Sequence, residues 1–466
     1  MVFIRIIPQF HYCYLIAYAC RRLRVNNDGS RCSGSCSSDA DCDSGLKCFQ
    51  RTGLEYVPGC VTGGIGDVPD TNYCYTMPPN GVPTYLPGML TVAQNGLSLS
   101  TGLSSRIIAR TGQRVSYFNN GKSSALFHSA PDGAGVFVDN SGSNDGGWTY
   151  ASNAEIDDGG VGAITFNSDG EVINYEMVVQ GTSRNCGGGR TYWGTWVTCE
   201  ETSDGQIYEV DPVTGISTQQ QTVMGNSGGR YEAFAYDNRD MALPTFYVTH
   251  DHRFGSTVRF TPDPIAVANA NASEDYSSVL TTDGTIEWLI LNPKHGSEWA
   301  TEGTFSWTSV RSDADNNASL FYRNAEGIDI RNGALYMTTK KSKSLFILDL
   351  DNLTYTRSST VSGAFEGMPD QVASIIATDP ERDMLYFCEE NSGINNGIHA
   401  RDSDGFFYTV INGGPGMNSE TTGLAFSPDQ TRMYVSYQTN GIIFEITRDD
   451  GYPFGAHRLD IKYHAL

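Results

Sequence analysis

No apolar stretch in this 466-residue chain approaches the roughly 20 consecutive residues that a membrane-spanning helix requires. Basic residues are scarce: 31 lysines and arginines face 53 aspartates and glutamates, a net charge of −22. A surface of that sign repels phosphate backbones, which argues against nucleic acid or an anionic membrane as partner. Charged residues of both signs make up only 18% of the chain and hydrophobic residues 39%, which excludes a disordered acidic tail. Helical patterning is missing too. No stretch of about 12 residues holds a clean 3.6-residue period, and Pro264 to Asn271 is the best, short, helical candidate.

What the chain has instead is glycine, 51 residues, and aromatics, with 25 Tyr, 21 Phe and 6 Trp. Turn formers and sheet formers in that proportion indicate β-structure. Asp-Gly pairs begin at Asp132, Asp169, Asp204, Asp283, Asp404 and Asp450, several of them beside alternating or β-branched runs such as GAITF and EVINYEMVV. Asp-Gly between such runs predicts β-hairpins. Strand pairs recur loosely, as in GALYMTTKKSKSLFILDLDN and RMYVSYQTNGIIFEITRDDG. Repetition of that kind over residues 95–460 predicts an all-β fold, a β-propeller of six blades at about 60 residues each. A large β-sandwich and a β-helix are the competing architectures.

The first 22 residues read as a signal peptide. Arg5 precedes an apolar run from Tyr12 to Cys20, and Ala17-Tyr18-Ala19 has the small-x-small form of a cleavage site. Six of the 11 cysteines fall between Cys32 and Cys74, in a Ser/Asp/Gly-rich segment with little to bury. Without a CxxC pair or a nearby histidine, residues 30–75 read as a disulfide-stapled module rather than a zinc site, joined by a Gly/Pro-rich linker, 76–94, to the long β-segment. Composition suggests that this module binds an extracellular polymer or protein. Asp39, Asp41 and Asp43 imitate the opening of a calcium loop, but its twelfth position is Gln50, so a polar turn is expected there. Sequons at Asn271, Asn317 and Asn352 fit a secreted glycoprotein. His250 and His252 have metal-site spacing, yet read better as a plain strand-end pair.

The densest chemical signal runs from Asn185 to Glu201, NCGGGRTYWGTWVTCEE. It ends with Cys199 beside Glu200 and Glu201. A thiolate next to carboxylates is costly unless a cation offsets the repulsion, and a bound metal would do so. A core cysteine followed by a solvated acidic loop is the equal alternative. Further acids occupy comparable strand ends: Glu155, Glu232, Asp251, Glu326, Asp370, Glu389, Glu390 and Glu420. Singly each suits a solvated loop; repeated at one place in successive units they suggest a central site for several cations.

This pattern resembles the PhoX-type alkaline phosphatases, calcium- and iron-dependent propeller enzymes. The anchor is the 185–201 block. Asn153 to Glu155, Arg230 to Glu232, Ala325-Glu326-Gly327, Phe365 to Asp370, the acids after Cys388, and Ser419 to Asp429 follow in family order. The resemblance covers roughly residues 90 to 445 and leaves the Cys-rich module outside. It implies Fe3+ ions bridged by a cysteine thiolate, here Cys199, with Glu200 beside it. It also implies Ca2+ ions and the carboxylates of Glu155, Glu232, Glu326, Asp370 and Glu420 as ligands. The implied reaction is hydrolysis of small phosphate monoesters. The family arginine that contacts phosphate has two candidates here, Arg323 and Arg230. Ala154 replaces a family histidine and Gln371 a family asparagine. If module and leader absorb eight cysteines, Cys186, Cys199 and Cys388 remain. A Cys186–Cys388 bridge would leave Cys199 free, whereas a Cys186–Cys199 bridge would disable it. A calcium-dependent propeller lactonase or esterase and a non-catalytic calcium-binding matrix protein are the alternatives.

Overall fold

A computed structural model of the chain describes residues 21–22, 33–51, 60–61, 71–75, 90–139, 142–214, 220–297, 300–361, 365, 368–375, 383–391, 396–403, 405, 407–449, 451–454 and 464–465. The expected leader up to residue 20, Cys32, most of the linker, and Asp404 and Asp450 lie outside them. The chain divides into two units, Met1–Leu86 with Ala465–Leu466, and Pro87–His464. Among the described residues no helix is long and apolar enough to cross a membrane.

In the smaller unit the disulfides Cys36–Cys48 and Cys42–Cys74 pin a short antiparallel pair, Lys47–Phe49 against Tyr73–Tyr75. Asp39 accepts from the Cys48 N–H and pairs with Lys47 Nζ at 2.6 Å. Asp41 accepts from the N–H groups of Ser37 and Ser38. Both acids close turns, as the departure at Gln50 implied.

The larger unit is built from antiparallel four-stranded meanders. Blade one comprises Pro131–Asp139, Gly147–Ala154, Gly159–Phe166 and Val172–Thr182. Blade two comprises Asn185–Arg190, Trp196–Glu200, Ile207–Val210 and Gln220–Gln221. Blade three runs from Tyr231–Asp237 through Thr245–His250 and Val258–Pro262 to Gly284–Pro293. Blade four has Ala325–Arg331, Ala334–Thr339, Ser344–Asp349 and Thr354–Ser359, and Glu302–Thr308 stitches its outer edge to that of blade three. Blade five has Met368–Ile375, Met384–Glu390, Gly397–Asp402 and Phe407–Gly413, extended by Leu97–Leu99. Blade six has Thr421–Phe426, Arg432–Tyr437 and Ile442–Arg448, and takes its outer strand, Leu103–Arg110, from the start of the unit. The first strands of the blades touch one another in a closed ring. The predicted β-propeller is the fold.

Apolar layers fill the wedges between blades. Trp148, Tyr150 and Phe166 of blade one meet Tyr434 and Ile443 of blade six, with Trp148 Nε1 donating to Tyr434 Oη at 3.0 Å. Where first strands converge there is no room for side chains, which accounts for the triple glycine. A Cβ on Gly187 would lie 2.3 Å from Glu232 O, and one on Gly189 would lie 1.9 Å from Phe234 O.

The expected helix is present as α1, Pro264–Ser273, with Asp263 capping the Ile265 and Ala266 N–H groups. A second helix, α2, Arg311–Phe321, escaped the periodicity because its buried contacts are only Ala314 and Ala318. Asn317 of α2 spends its side-chain amide on both backbone groups of Leu291, so this sequon has a packing role. The Asp169 and Asp204 pairs make turns as expected; Asp132 does not.

Candidate metal centre

In every blade the first strand loses register with the second near its start. The shifts fall between Pro131 and Ala134, Asn185 and Gly188, Tyr231 and Phe234, Ala325 and Ile328, Pro369 and Val372, and Thr422 and Ala425. A β-bulge re-aims one side chain out of the strand's alternation. The bulge residues are Asp132, Cys186, Glu232, Glu326 and Asp370 in blades one to five, and Gly423 in blade six. They gather at one end of the ring. Asp132, Glu155 and Cys186 form one group and Glu232, Glu326 and Asp370 a second, with the ligand atoms of each group within 4.8 Å of one another. Cys186 Sγ lies 3.7 Å from Asp132 Oδ2 and also feels Glu232, so it joins the two groups.

A second ring is supplied by the residues that leave the second strands. Glu155, Glu201, Asp251, Lys340 and Gln438 each donate the backbone N–H to the carbonyl just ahead of the blade's first strand. Glu390 closes the second strand of blade five. Among the described residues three cations serve this ring. Arg184 pairs with Glu155, and Arg230 with Glu201 at 3.2 Å. Lys340 Nζ reaches Asp251 at 2.9 Å, Glu326 at 3.1 Å and Glu390 at 2.6 Å. Amides finish the packing: Gln438 Nε2 donates to both Asp132 and Glu155, and Gln371 Nε2 to Asp132 at 3.0 Å.

Burial dominates the electrostatics. Asp132, Glu232 and Glu326 are 2%, 1% and 1% exposed. Burial, then the neighbouring acids, pushes Asp132 and Glu232 well above the carboxylate range. Glu326 rises as well, because burial outweighs Lys340. Asp370 is pushed up to about 8 by burial and then by Glu390, and Glu420 up to about 9 by burial and then by Asp370. Asp251 goes the other way, since the Lys340 ammonium overcomes burial and holds it low. Burial and then the acids of Asp132 and Glu232 raise the Cys186 thiol. Acids and a thiol driven toward their protonated forms are what a bound cation reverses. One oxygen asks for a cation directly, since Glu232 Oε1 is buried without a hydrogen-bond partner; Glu326 Oε1 likewise accepts no hydrogen bond, although Lys340 Nζ lies 3.1 Å from it. Carboxylates suit calcium and ferric iron, and a thiolate suits iron, so the residues fit the metals that the resemblance implies.

Of the residues singled out in the sequence, Glu155, Glu232, Glu326 and Asp370 come together, and Glu420 stands close enough to raise Asp132 and to be raised by Asp370. Cys199 does not join them. It pairs across the strand with Ile207 and lies in the apolar layer with Val197, Val248 and Phe260. Glu200 is also turned away, accepting from the N–H groups of Ser183 and Gln206. Cys186 is the thiol grouped with Asp132 and Glu155, while Cys199 feels Glu232 and Glu200 from the apolar layer. Cys186, Cys199 and Cys388 are all free, so neither anticipated bridge forms. Arg230 is at the rim on Glu201, whereas Arg323 is exposed and, among the described residues, makes no ion pair with the acids. His250 is the plain strand-end residue expected, its Nε2 accepting the Arg230 N–H at 2.9 Å. Glu389 turns inward to His399, leaving Glu390 to the ring.

Two participants, Asp132 and Lys340, had no ligand signal in the sequence, and a third, Asn153, entered only as the start of the stretch that ends at Glu155. Asp132 had been assigned to a hairpin turn, but a Cβ on Gly133 would lie 2.7 Å from Cys186 O, so this Asp-Gly pair marks a close approach of strands. Lys340 has the wrong charge for a ligand search. Asn153, fully buried, donates to the carbonyls of Cys186 and Gly187, both at 2.7 Å, and accepts from Trp196 Nε1 at 2.9 Å. It therefore sets the backbone that presents the thiol.

The fold and this site define a propeller with buried carboxylates and a thiol at one end of its axis. Residues 159–243 match the model of the family Alkaline phosphatase PhoX. Among solved structures the chain is similar to Pseudomonas fluorescens PhoX in complex with vanadate, a transition state analogue. The TM-score is 0.56 at 16% identity, covering 80% of this chain and 100% of that one. It is also similar to XC5397, a gluconolactonase from Xanthomonas campestris, with TM-score 0.40 and 14% identity over 76% of this chain and 97% of that one. No curated protein matches. The resemblance to the PhoX family read in the sequence therefore holds in the matched segment and in the fold.

Proposed function

We propose that the chain is a secreted, PhoX-like hydrolase of phosphate monoesters that works through iron and calcium held by the acids of its channel mouth. The observation that carries this reading is Cys186 placed among Asp132, Glu155 and Glu232. Calcium alone needs only oxygen ligands, so a buried thiol in the set favours iron in addition and favours a phosphatase over a calcium-only lactonase. Bound cations would supply the positive charge that holds phosphate oxygens and stabilises the transferring phosphoryl group.

The chain's own residues do the rest. Glu232, Glu326 and Asp370 form one ligand group, and Asp132, Glu155 and Cys186 the other. Asn153 fixes the backbone of Cys186, and Gln438 orients Asp132 against Glu155. Arg230, half-exposed and held by one ion pair, is the better placed of the two arginines to reach a phosphate. The disulfides of the small unit support an oxidising compartment. Elemental analysis of the purified chain beside an assay of p-nitrophenyl phosphate hydrolysis tests the reading. Iron and calcium with turnover are expected. Calcium without iron, or metal without phosphate release, would overturn it.

A further inference from the structure

The position that follows the second strand carries a carboxylate in blades one, two and three: Glu155, Glu201 and Asp251. In blade four the same position carries Lys340. Its ammonium meets carboxylates from three successive blades, Asp251 of blade three at 2.9 Å, Glu326 of blade four at 3.1 Å and Glu390 of blade five at 2.6 Å. The side chain is only 13% exposed. Three acids converging from three separate elements are the arrangement by which proteins hold a divalent ion. An ammonium has three donors; here it hydrogen-bonds Asp251 and Glu390 and stands at ion-pair distance from Glu326. The charge at that point is therefore supplied by the chain.

We propose that Lys340 is a resident cation of the centre: it stands where a divalent ion would otherwise sit, ties blades three to five together at the channel mouth, and limits the number of ions the centre takes up. Glu326 belongs both to this arrangement and to the group with Glu232 and Asp370, so the ammonium also sets the position of a metal ligand. The proposal rests on the reading that the other acids bind cations. It goes beyond that reading by assigning one cation position to the polypeptide.

The test is a count of ions. The full chain and its Lys340→Met and Lys340→Arg variants are loaded with excess calcium at neutral pH, dialysed, and analysed for metal per chain, with folding checked by circular dichroism. Lys340→Met is expected to hold one more calcium ion than the unmodified chain and to show a larger rise in melting temperature on adding calcium. Lys340→Arg is expected to match the unmodified chain. A folded Lys340→Met with no gain overturns the proposal alone. An unmodified chain that takes up no ion, with no uptake in the variant, overturns the metal-centre reading and this proposal with it. If Lys340→Met does not fold, Lys340→Asp, which restores the carboxylate of the other blades, decides. Folding only in calcium supports the proposal, and any other behaviour overturns it.

Discussion

Cys186 Sγ stands 3.7 Å from Asp132 Oδ2, at the point where the first strands of two neighbouring blades begin. The other nearby cysteine, Cys199, is 0% exposed in an apolar layer. The two should therefore respond in opposite ways. Cys186→Ala is expected to lose bound iron and at least 100-fold in phosphate hydrolysis while melting near the unmodified chain. Cys199→Ala is expected to keep both and to lose about 1 kcal/mol of stability, the cost of a small core cavity. Metal content and melting curves of the two variants check this.

Asn153 should behave as a positioning residue. Asn153→Ala strands two carbonyls and the Trp196 indole N–H in the interior, a loss of about 2–4 kcal/mol. It also frees the backbone of Cys186. The variant is expected to bind iron more weakly at a temperature where it is still folded, and an iron titration below its melting point measures that.

Removing metal should be felt most at alkaline pH. Asp370 and Glu420 have folded pKa values of about 8 and about 9, above their ordinary values of 3.8 and 4.5. With folded values raised, the stability these groups contribute is full below about pH 4 and is lost as pH rises toward 9. A chelated chain is expected to melt progressively lower from pH 5 to 9. Calcium at 100 times its dissociation constant would return about 2.7 kcal/mol per site and flatten the trend. Melting temperatures with and without chelator across that range decide.

His250 carries the opposite sign. Its pKa is pushed down to about 3, first by burial and then by Arg311, from an ordinary 6.5. A depressed histidine leaves full stability above about pH 6.5 and loses it as pH falls toward the folded value, by about 1.4 kcal/mol per unit. His250→Gln retains an acceptor for the Arg230 N–H but does not titrate. The unmodified chain should therefore lose ground against it with each step from pH 6.5 to 5, and urea midpoints compare the two.

The propeller was legible because its hairpins and aromatic strands are local signals; Asp169 and Asp204 sit in turns as their glycines required. The acids at strand exits were legible because they repeat. Which thiol lies among the acids was not. Adjacency to Glu200 and Glu201 favoured Cys199, but adjacency along a strand says nothing about facing, and pairing with Ile207 sends that side chain into the apolar layer. The bulges that aim Asp132 and Cys186 are long-range consequences of how first strands crowd at the axis. Gly133 and Gly187 record that crowding, and Gly133 looks like an ordinary turn glycine until the neighbouring strand is in place.

Blade six takes its outer strand, Leu103–Arg110, from one end of the unit and its other strands from the opposite end. The circle thus shuts only after a ribosome has released residues near 448, and Asp132 of the opening blade meets Gln438 of the closing one at that moment. On the proposed function a half-made chain would have no complete basket for ions, and metal would be acquired late in the life of the molecule.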